Sequence, residues 1–381
     1  MTSYSDPIHN LIYNNDASHI QTKSNVEVYI PKTKEDVKGI VSACVTHNRK
    51  IICRWGWTNL VGSCLPTEDA AIIDFSKLTL IRETGDGFYV EPGVTTDQLN
   101  EYLAPKKLYF PVVLWSHTAA EIGWMISTNW AWMRAVKYWK IWNWIEEIEF
   151  LRLNTNKEII IEKITGETLK NILWMEWTCW IILEAKIKVI AKPQELSASF
   201  FEFDDITANI EKVKQLLKQE DPYLSAMEII NPYVSKLLWR NEKYHLLVEY
   251  EKNNNWDIKD PEKIKEIWSK RDSCYSVVVN DWFIQIEDPE VEIDKQTELF
   301  DWFEKNNIPA YGHIWIGVIH PHFRPDQEWL MDEMYSLVQK LWWKVSWEHW
   351  IWIKKLKYIS EETKNQQKSI KEKYDPSECF L

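Results

Sequence analysis

The stretch Ile51-Ile52-Cys53-Arg54-Trp55-Gly56-Trp57-Thr58-Asn59-Leu60 decides how this 381-residue chain is read. An amphipathic pattern precedes it, and the β-like run Ala70-Ala71-Ile72-Ile73-Asp74 follows. An apolar strand, an arginine, three compact positions and a Thr-Asn pair make a loop whose backbone N–H groups turn towards a phosphate. Two of those compact positions carry tryptophan.

The same conflict runs along the chain. Glycine usage of roughly 7% would give about 27 residues at this length, yet there are 10 glycines and 24 tryptophans. Trp124, Trp130, Trp132, Trp139, Trp142 and Trp144 crowd one short stretch. Glu328 to Leu341 reads as a helix with Leu330, Met334, Leu337, Val338 and Leu341 on one face. Trp342-Trp343 then stand where a left-handed C-terminal residue belongs, a conformation bulky residues avoid. The pattern is that of a gene in which UGA encodes glycine but is translated as tryptophan. The alternative is a tryptophan-rich surface that stacks on sugars.

The length allows two domains and the 45% hydrophobic content allows sizeable cores. A net charge of −12 argues against nucleic acid or an anionic membrane surface as main partner. The six cysteines are scattered without a Cys-x-x-Cys pair, which supports neither a zinc ribbon nor an iron–sulfur site. The N-terminus lacks a basic, apolar leader, and no apolar run approaches the roughly 18 residues of a membrane span. These features predict a cytoplasmic protein without a transmembrane segment, peripheral membrane association remaining open.

From Pro31 the pattern becomes regular. Thr33 and Asp36 form a capping-box signature, and Val37, Ile40, Val41 and Cys44 follow at helical spacing to about His47. Asp74 to Leu78 and Gly87 to Gly93 read as strands joined by a turn at Gly85-Asp86-Gly87. Thr95 to Gln98 restarts a helix with Leu99 and Leu103 inward. The mixture predicts an α+β fold. After Lys192-Pro193 charged amphipathic helices appear, such as that of Ile210, Val213, Leu216 and Leu217, with β-like runs such as His245 to Glu249 between them.

Two further compact-residue clusters are Ser116-His117-Thr118-Ala119-Ala120-Glu121-Ile122-Gly123-Trp124-Met125-Ile126-Ser127-Thr128-Asn129 and Leu173-Trp174-Met175-Glu176-Trp177-Thr178-Cys179-Trp180-Ile181-Ile182. With glycine for tryptophan the three clusters read Arg-Gly-Gly-Gly-Thr-Asn, Ile-Gly-Gly-Met-Ile-Ser-Thr-Asn and Gly-Met-Glu-Gly-Thr-Cys-Gly-Ile-Ile. In this form nearly the whole chain resembles the FAD-linked oxidases with a PCMH-type (vanillyl-alcohol oxidase-like) flavin domain, in the branch of D-lactate, glycolate and D-2-hydroxyglutarate dehydrogenases. The resemblance implies a PCMH-type FAD-binding domain over 1–192, a ferredoxin-like α+β substrate cap over 193–360, and a tail, 361–381, returning to the FAD domain. It implies FAD contacts at Arg54, Trp55, Gly56, Trp57, Thr58, Asn59, Ser116, Thr118, Gly123, Trp124, Ser127, Thr178, Trp180 and Ile181. Glu121 departs from the family's threonine and Met175 from its serine. No histidine stands in the first loop to tether the flavin, which implies noncovalent FAD.

Two segments carry the chemistry of the cap. Tyr311-Gly312-His313-Ile314-Trp315-Ile316-Gly317-Val318-Ile319-His320-Pro321-His322 places two histidines seven residues apart, and Ser346-Trp347-Glu348-His349-Trp350-Ile351-Trp352 follows. Imidazoles with one carboxylate are a common divalent-metal set, although a single histidine is more often structural. The family pattern makes His313, His320 and Glu348 ligands of a divalent metal, zinc or manganese, and His349 the catalytic base; His322 would support the ligands from behind. Glu266-Ile267-Trp268-Ser269-Lys270-Arg271 resembles the family's Trp-x-x-Arg segment, making Arg271 the candidate clamp for a substrate carboxylate. A solvated helix end is the alternative, and Trp268 is a position where the family carries a true tryptophan.

The implied reaction is oxidation of a D-2-hydroxy acid to the 2-oxo acid, with the hydroxyl proton to His349, hydride to flavin N5, and an electron acceptor such as a quinone, an electron-transfer flavoprotein or a cytochrome. A sugar-lactone oxidase or an alkylglycerone-phosphate-synthase-like enzyme of the same fold is the enzymatic alternative. A non-catalytic aromatic-rich binding protein is the other.

Overall fold

The computed structural model describes residues 2–56, 60–114, 116–128, 132–169, 178–252, 258–341, 355 and 357–381. Two compact units divide the chain: Met1–Trp130 with Lys140–Ala191 and Trp350–Leu381, and Ala131–Trp139 with Lys192–His349.

The first unit is built on β1 (Thr2–Tyr4), β2 (Val26–Ile30), β3 (Lys50–Arg54) and β4 (Ala70–Asp74), in the order β1-β2-β4-β3. β4 lies parallel to both β2 and β3, β1 being antiparallel at the edge, and is buried along its whole length, as expected of a central strand with parallel neighbours. The helix Lys34–Thr46 starts where the capping box predicts: the Thr33 hydroxyl accepts the Asp36 N–H and the Asp36 carboxylate accepts the Thr33 N–H. Val37, Ile40, Val41 and Cys44 form its buried stripe. The tail closes the sheet edge, the Ile51 N–H donating to Cys379 O at 2.8 Å and the Leu381 N–H to Ile51 O at 2.9 Å.

A second sheet of this unit comprises β5 (Ile81–Thr84), β6 (Gly87–Val90), β8 (Ile145–Leu153), β9 (Ile159–Thr165) and β10 (Ile181–Ile187), in the order β5-β6-β10-β8-β9. The short strands β7 (Leu108–Tyr109) and β11 (Ile190–Ala191) pair separately. The expected strand from Asp74 to Leu78 is absent. Asp74 Oδ1 accepts the Ser76 N–H at 2.9 Å and Leu78 N–H bonds Phe75 O at 2.8 Å, so the chain turns as soon as β4 ends.

The second unit holds a six-stranded sheet of β12 (Ser197–Phe203), β13 (Leu224–Ile230), β14 (Tyr244–Tyr250), β15 (Gln285–Ile286), β16 (Ala310–His313) and β17 (Val318–Phe323), in the order β12-β14-β13-β16-β17-β15. Ile230 pairs with Tyr311 and Tyr311 with His320, so side-chain alternation puts Glu228, Ile230, Tyr311, His313, His320 and His322 on one face. Ile230, Leu247 and Tyr311 of that face pack against Val234, Cys274, Val278 and Phe283 from the helices Pro232–Trp239 and Cys274–Asn280 and the turn beyond. Tyr244, on the opposite face, meets Phe300 of the helix Gln296–Lys305 edge to face at 5.9 Å.

Among the described residues, two tryptophans occupy backbone conformations that suit glycine. Trp282 follows the helix Cys274–Asn280 at φ +70°; its N–H bonds Val279 O and that of Phe283 bonds Val278 O, the paired bonds of a Schellman stop. Trp139 sits at φ +58° and ψ −152°, close to a region used almost only by glycine. Lys107, Asn48 and other polar residues also have positive φ, but a bulky aromatic there is an outlier. The Trp342-Trp343 pair lies outside the described residues.

If the backbone at 282 demands glycine, Trp282→Gly should be more stable than Trp282→Ala by roughly 1–2 kcal/mol, the cost of a Cβ in the left-handed region. At Trp302, inside the helix Gln296–Lys305, the order should reverse by about 1 kcal/mol. Denaturant unfolding of the four variants measures both differences, and equal stability of the two variants at 282 would remove the backbone argument.

Candidate functional site

Arg54 ends β3 opposite Asp74 at the end of β4 and is fully buried. Its guanidinium donates to the carbonyls of Tyr13, at 2.8 Å, and Asn15, while the Tyr13 hydroxyl donates to Asp74 at 2.6 Å. Arg54 therefore ties β3 to the N-terminal helix Pro7–Tyr13. Trp55 is buried and stacks on Phe75 with ring centroids 4.2 Å apart. At Gly56 a Cβ would lie 1.9 Å from Ala119 O, so the first and second clusters touch backbone to backbone. A Cβ on Gly123 would meet Pro92 at 2.5 Å and the Trp55 ring at 2.9 Å.

The second cluster turns at Ser116, whose carbonyl accepts the N–H groups of Ala119 and Ala120 at 2.8 Å, and leaves Thr118 exposed. It then enters the buried helix Ile122–Thr128, which carries Gly123, Trp124 and Ser127. Ser127 Oγ and Glu121 Oε2 are buried without a hydrogen-bond partner among the described residues. Burial, reinforced by the charge of Asp74, pushes the Glu121 carboxyl up to about 9. The third cluster packs on the C-terminal helix Glu361–Tyr374: Lys371 donates to Thr178 O, Trp180 lies edge-on to Tyr374 at 5.1 Å, and Ile181 opens β10. Trp57, Thr58 and Asn59 lie outside the described residues.

In the second unit His313, His320 and Arg271 are all nearly buried. His313 and His320 face each other edge to face, centroids 5.4 Å apart. Glu228, fully buried, bridges the group: Oε1 is 2.5 Å from His313 Nδ1, and Oε2 accepts from Arg271 Nε at 2.7 Å and from its Nη2 at 2.6 Å. Arg271 also lies over the Tyr311 ring at 4.9 Å. Its Nη1 edge makes no hydrogen bond to a described residue. His322 donates from Nδ1 to Phe283 O at 3.1 Å, so its Nε2 accepts the Tyr311 hydroxyl at 3.0 Å. A second buried carboxylate on this face, Glu249, takes Arg134 Nε at 2.7 Å and the Ser225 hydroxyl at 2.9 Å. Burial opposes its charge, but Arg134 and these hydrogen bonds keep it below the ordinary carboxyl range.

Sequence reasoning did not single out Glu228, Glu249 or Arg134. The available signal was a glutamate inside each of the apolar runs Leu224–Ile230 and Tyr244–Tyr250. Glu348 and His349 lie outside the described residues, and the described residues alone contain no set of three or more metal-ligating side chains.

Residues 27–155 match the family described as the FAD binding domain. The chain is 21% identical over 417 residues to a D-2-hydroxyglutarate dehydrogenase of Stutzerimonas stutzeri, covering 92% of this chain and 88% of that protein. It is 24% identical to the glycolate oxidase subunit GlcD of Bacillus subtilis, covering 69% of this chain and 59% of the relative, and 25% identical to a D-lactate dehydrogenase of Archaeoglobus fulgidus, covering 60% and 54%. Among solved structures, an alkyldihydroxyacetonephosphate synthase aligns over 99% of this chain and 81% of its own at a TM-score of 0.71 and 14% identity. GilR, an oxidoreductase of gilvocarcin biosynthesis, aligns over 100% and 99% at 0.65 and 11%. These structural likenesses establish the fold alone. Taken with the family match, the protein is an FAD-dependent oxidoreductase. More narrowly, residues 27–155 carry a PCMH-type FAD-binding domain, and the non-catalytic aromatic-rich reading falls.

The cradle fits that cofactor in its backbone and not in one side chain. The approach of Gly56 to Ala119 and the orphaned Ser127 Oγ are features of a ligand cradle. The Trp55 indole, stacked on Phe75 and against Gly123, fills the space between the two clusters. With tryptophan at 55 the residues present do not fit FAD.

A carboxyl raised in the folded state keeps its proton longer there than in the unfolded chain. The stability linked to Glu121 is therefore full below the usual carboxyl range and falls as pH rises towards about 9. Glu121→Gln should remove that fall, which amounts to about 1 kcal/mol per pH unit. Unfolding free energies of both proteins across this range test it, parallel pH profiles being the contrary result.

Proposed function

We propose that the protein oxidises a D-2-hydroxy acid, of the D-lactate, glycolate or D-2-hydroxyglutarate type, to the 2-oxo acid. The observation that carries this reading is the Arg271 guanidinium: one edge is held by Glu228 and the other makes no hydrogen bond within the described protein, beside a facing pair of imidazoles. A guanidinium anchored on one edge offers the other to a carboxylate with little loss of freedom. The names of the relatives support the same substrate class.

In this reading Arg271 orients the substrate carboxylate and His349 takes the hydroxyl proton. His313, His320 and Glu348 would hold a divalent metal, zinc or manganese, which lowers the pKa of a bound hydroxyl. FAD, when bound, supplies the electron acceptor. The glycine reading of the tryptophan-rich clusters belongs to the same proposal, because positions 55 and 57 must be small for the cofactor to enter. The sugar-lactone and alkylglycerone-phosphate alternatives share the fold but have no need of the imidazole pair.

Protein made with glycine at 55 and 57 should purify with bound flavin, whereas the literal sequence should be colourless. Equal flavin content would refute the cradle argument, and peptide mass spectrometry of protein from the native host reads the residue at 57 directly. In the flavin-loaded protein His349→Asn should slow flavin reduction by D-lactate, glycolate or D-2-hydroxyglutarate by about 10²–10⁴-fold, the range of a general base, without a matching rise in KM. A variant that keeps its metal and FAD and reduces flavin at the wild-type rate would take His349 out of the reaction.

A further inference from the structure

We propose that Glu228 is a positioning residue of the second unit's site, fixing the tautomer of His313 and the orientation of Arg271 with one carboxylate. The inference deepens the proposed function and rests on it for the roles of those two partners. Its geometry stands apart from that reading.

Glu228 lies in β13 between the buried Met227 and Ile229, with no exposed surface. An uncompensated carboxylate there would be strongly destabilising, so its partners are a condition of folding. They divide by oxygen: Oε2 takes Nε and Nη2 of Arg271, while Oε1 takes His313 Nδ1. An ionised carboxylate only accepts, so in neutral His313 the proton sits on Nδ1 and the lone pair on Nε2. That is the arrangement a metal-ligating or proton-accepting imidazole needs, with the carboxylate behind it. His322 gives the contrast, since a carbonyl and a tyrosine hydroxyl occupy its two nitrogens.

The bond to Arg271 has a directional consequence. Because Glu228 takes the Nε side, the plane of the guanidinium is fixed and the Nη1 side is turned away from Glu228. One carboxylate thus sets both the group that would grip a substrate carboxylate and the nitrogen that would face a metal. Stability alone does not account for such a cluster, because replacing a buried ion pair with apolar residues is often neutral or stabilising.

Glu228→Gln separates orientation from mere packing. The amide has the same shape but one acceptor; charged Arg271 retains the oxygen, and the NH2 group faces His313. The His313 proton is then expected to move from Nδ1 to Nε2, read by two-bond ¹H–¹⁵N NMR of ¹⁵N-histidine-labelled full-length protein at fixed pH. Zinc titration of the same protein should show affinity weakened about 10–100-fold. Wild-type His313 found as the Nε2–H tautomer, or a variant with unchanged tautomer and unchanged zinc affinity, would overturn the proposal even if its melting temperature falls. If the wild type shows the Nδ1–H tautomer but oxidises no hydroxy acid, the proposed function fails and the positioning role stands. Should Glu228→Gln not fold, Glu228→Asp keeps the charge but is one methylene too short to reach both partners. It should release His313 in the same spectrum, and an unchanged His313 signal there would equally overturn the proposal.

Discussion

Close backbone approach is the constraint on which the first unit depends. The turn after β3 comes so near the second cluster that the smallest side chain at Gly56 would overlap the Ala119 carbonyl. β3 and β4 are parallel neighbours whose following loops leave from the same end, which brings Trp55 after β3 against Phe75 after β4. Side-chain size at the neighbouring positions then decides what else can enter. At 55 an indole enters and is stabilised by stacking on Phe75, so the chain satisfies its own packing at the expense of the cradle.

Buried charge plays the corresponding part in the second unit. Two carboxylates on one face of the six-stranded sheet, Glu228 and Glu249, are each matched by an arginine, Arg271 and Arg134. Arg134 belongs to the segment Ala131–Trp139, which interrupts the first unit in sequence. Its bond to Glu249, with those of Lys137 and Tyr138 to Glu251, draws that segment onto the second unit's sheet. An ion pair of this kind adds little net stability but fixes geometry, because breaking it strands a charge in a low-dielectric interior.

The two observations bear differently on function. In the second unit the hydrogen bonds joining Glu228, Arg271 and His313 can be followed atom by atom. The cradle is legible only as a scaffold whose side chains contradict its backbone. Trp139 and Trp282 show a related contradiction, in dihedral angles that a bulky side chain avoids. All of these positions would suit glycine, as the proposed reading of the tryptophan-rich clusters requires.

The sequence by itself determined the local structure where short-range chemistry suffices. The capping boxes at Thr33 and Thr95 form, and the apolar stripes of Lys34–Thr46 and Ile206–Leu217 are buried, because caps and 3.6-residue periodicity involve only neighbours in the chain. The motif order also pointed to the flavin domain and brought out His313, His320 and Arg271. Sequence did not reveal that the strand stops at Asp74, that Arg54 spends its donors on Tyr13 and Asn15, or that Glu228 joins Arg271 to His313. The last two of these depend on partners 39 to 85 residues away. Only the tertiary structure decides which of several possible acceptors a buried donor meets, since each buried polar group must find a partner and strand register determines which ones come within reach.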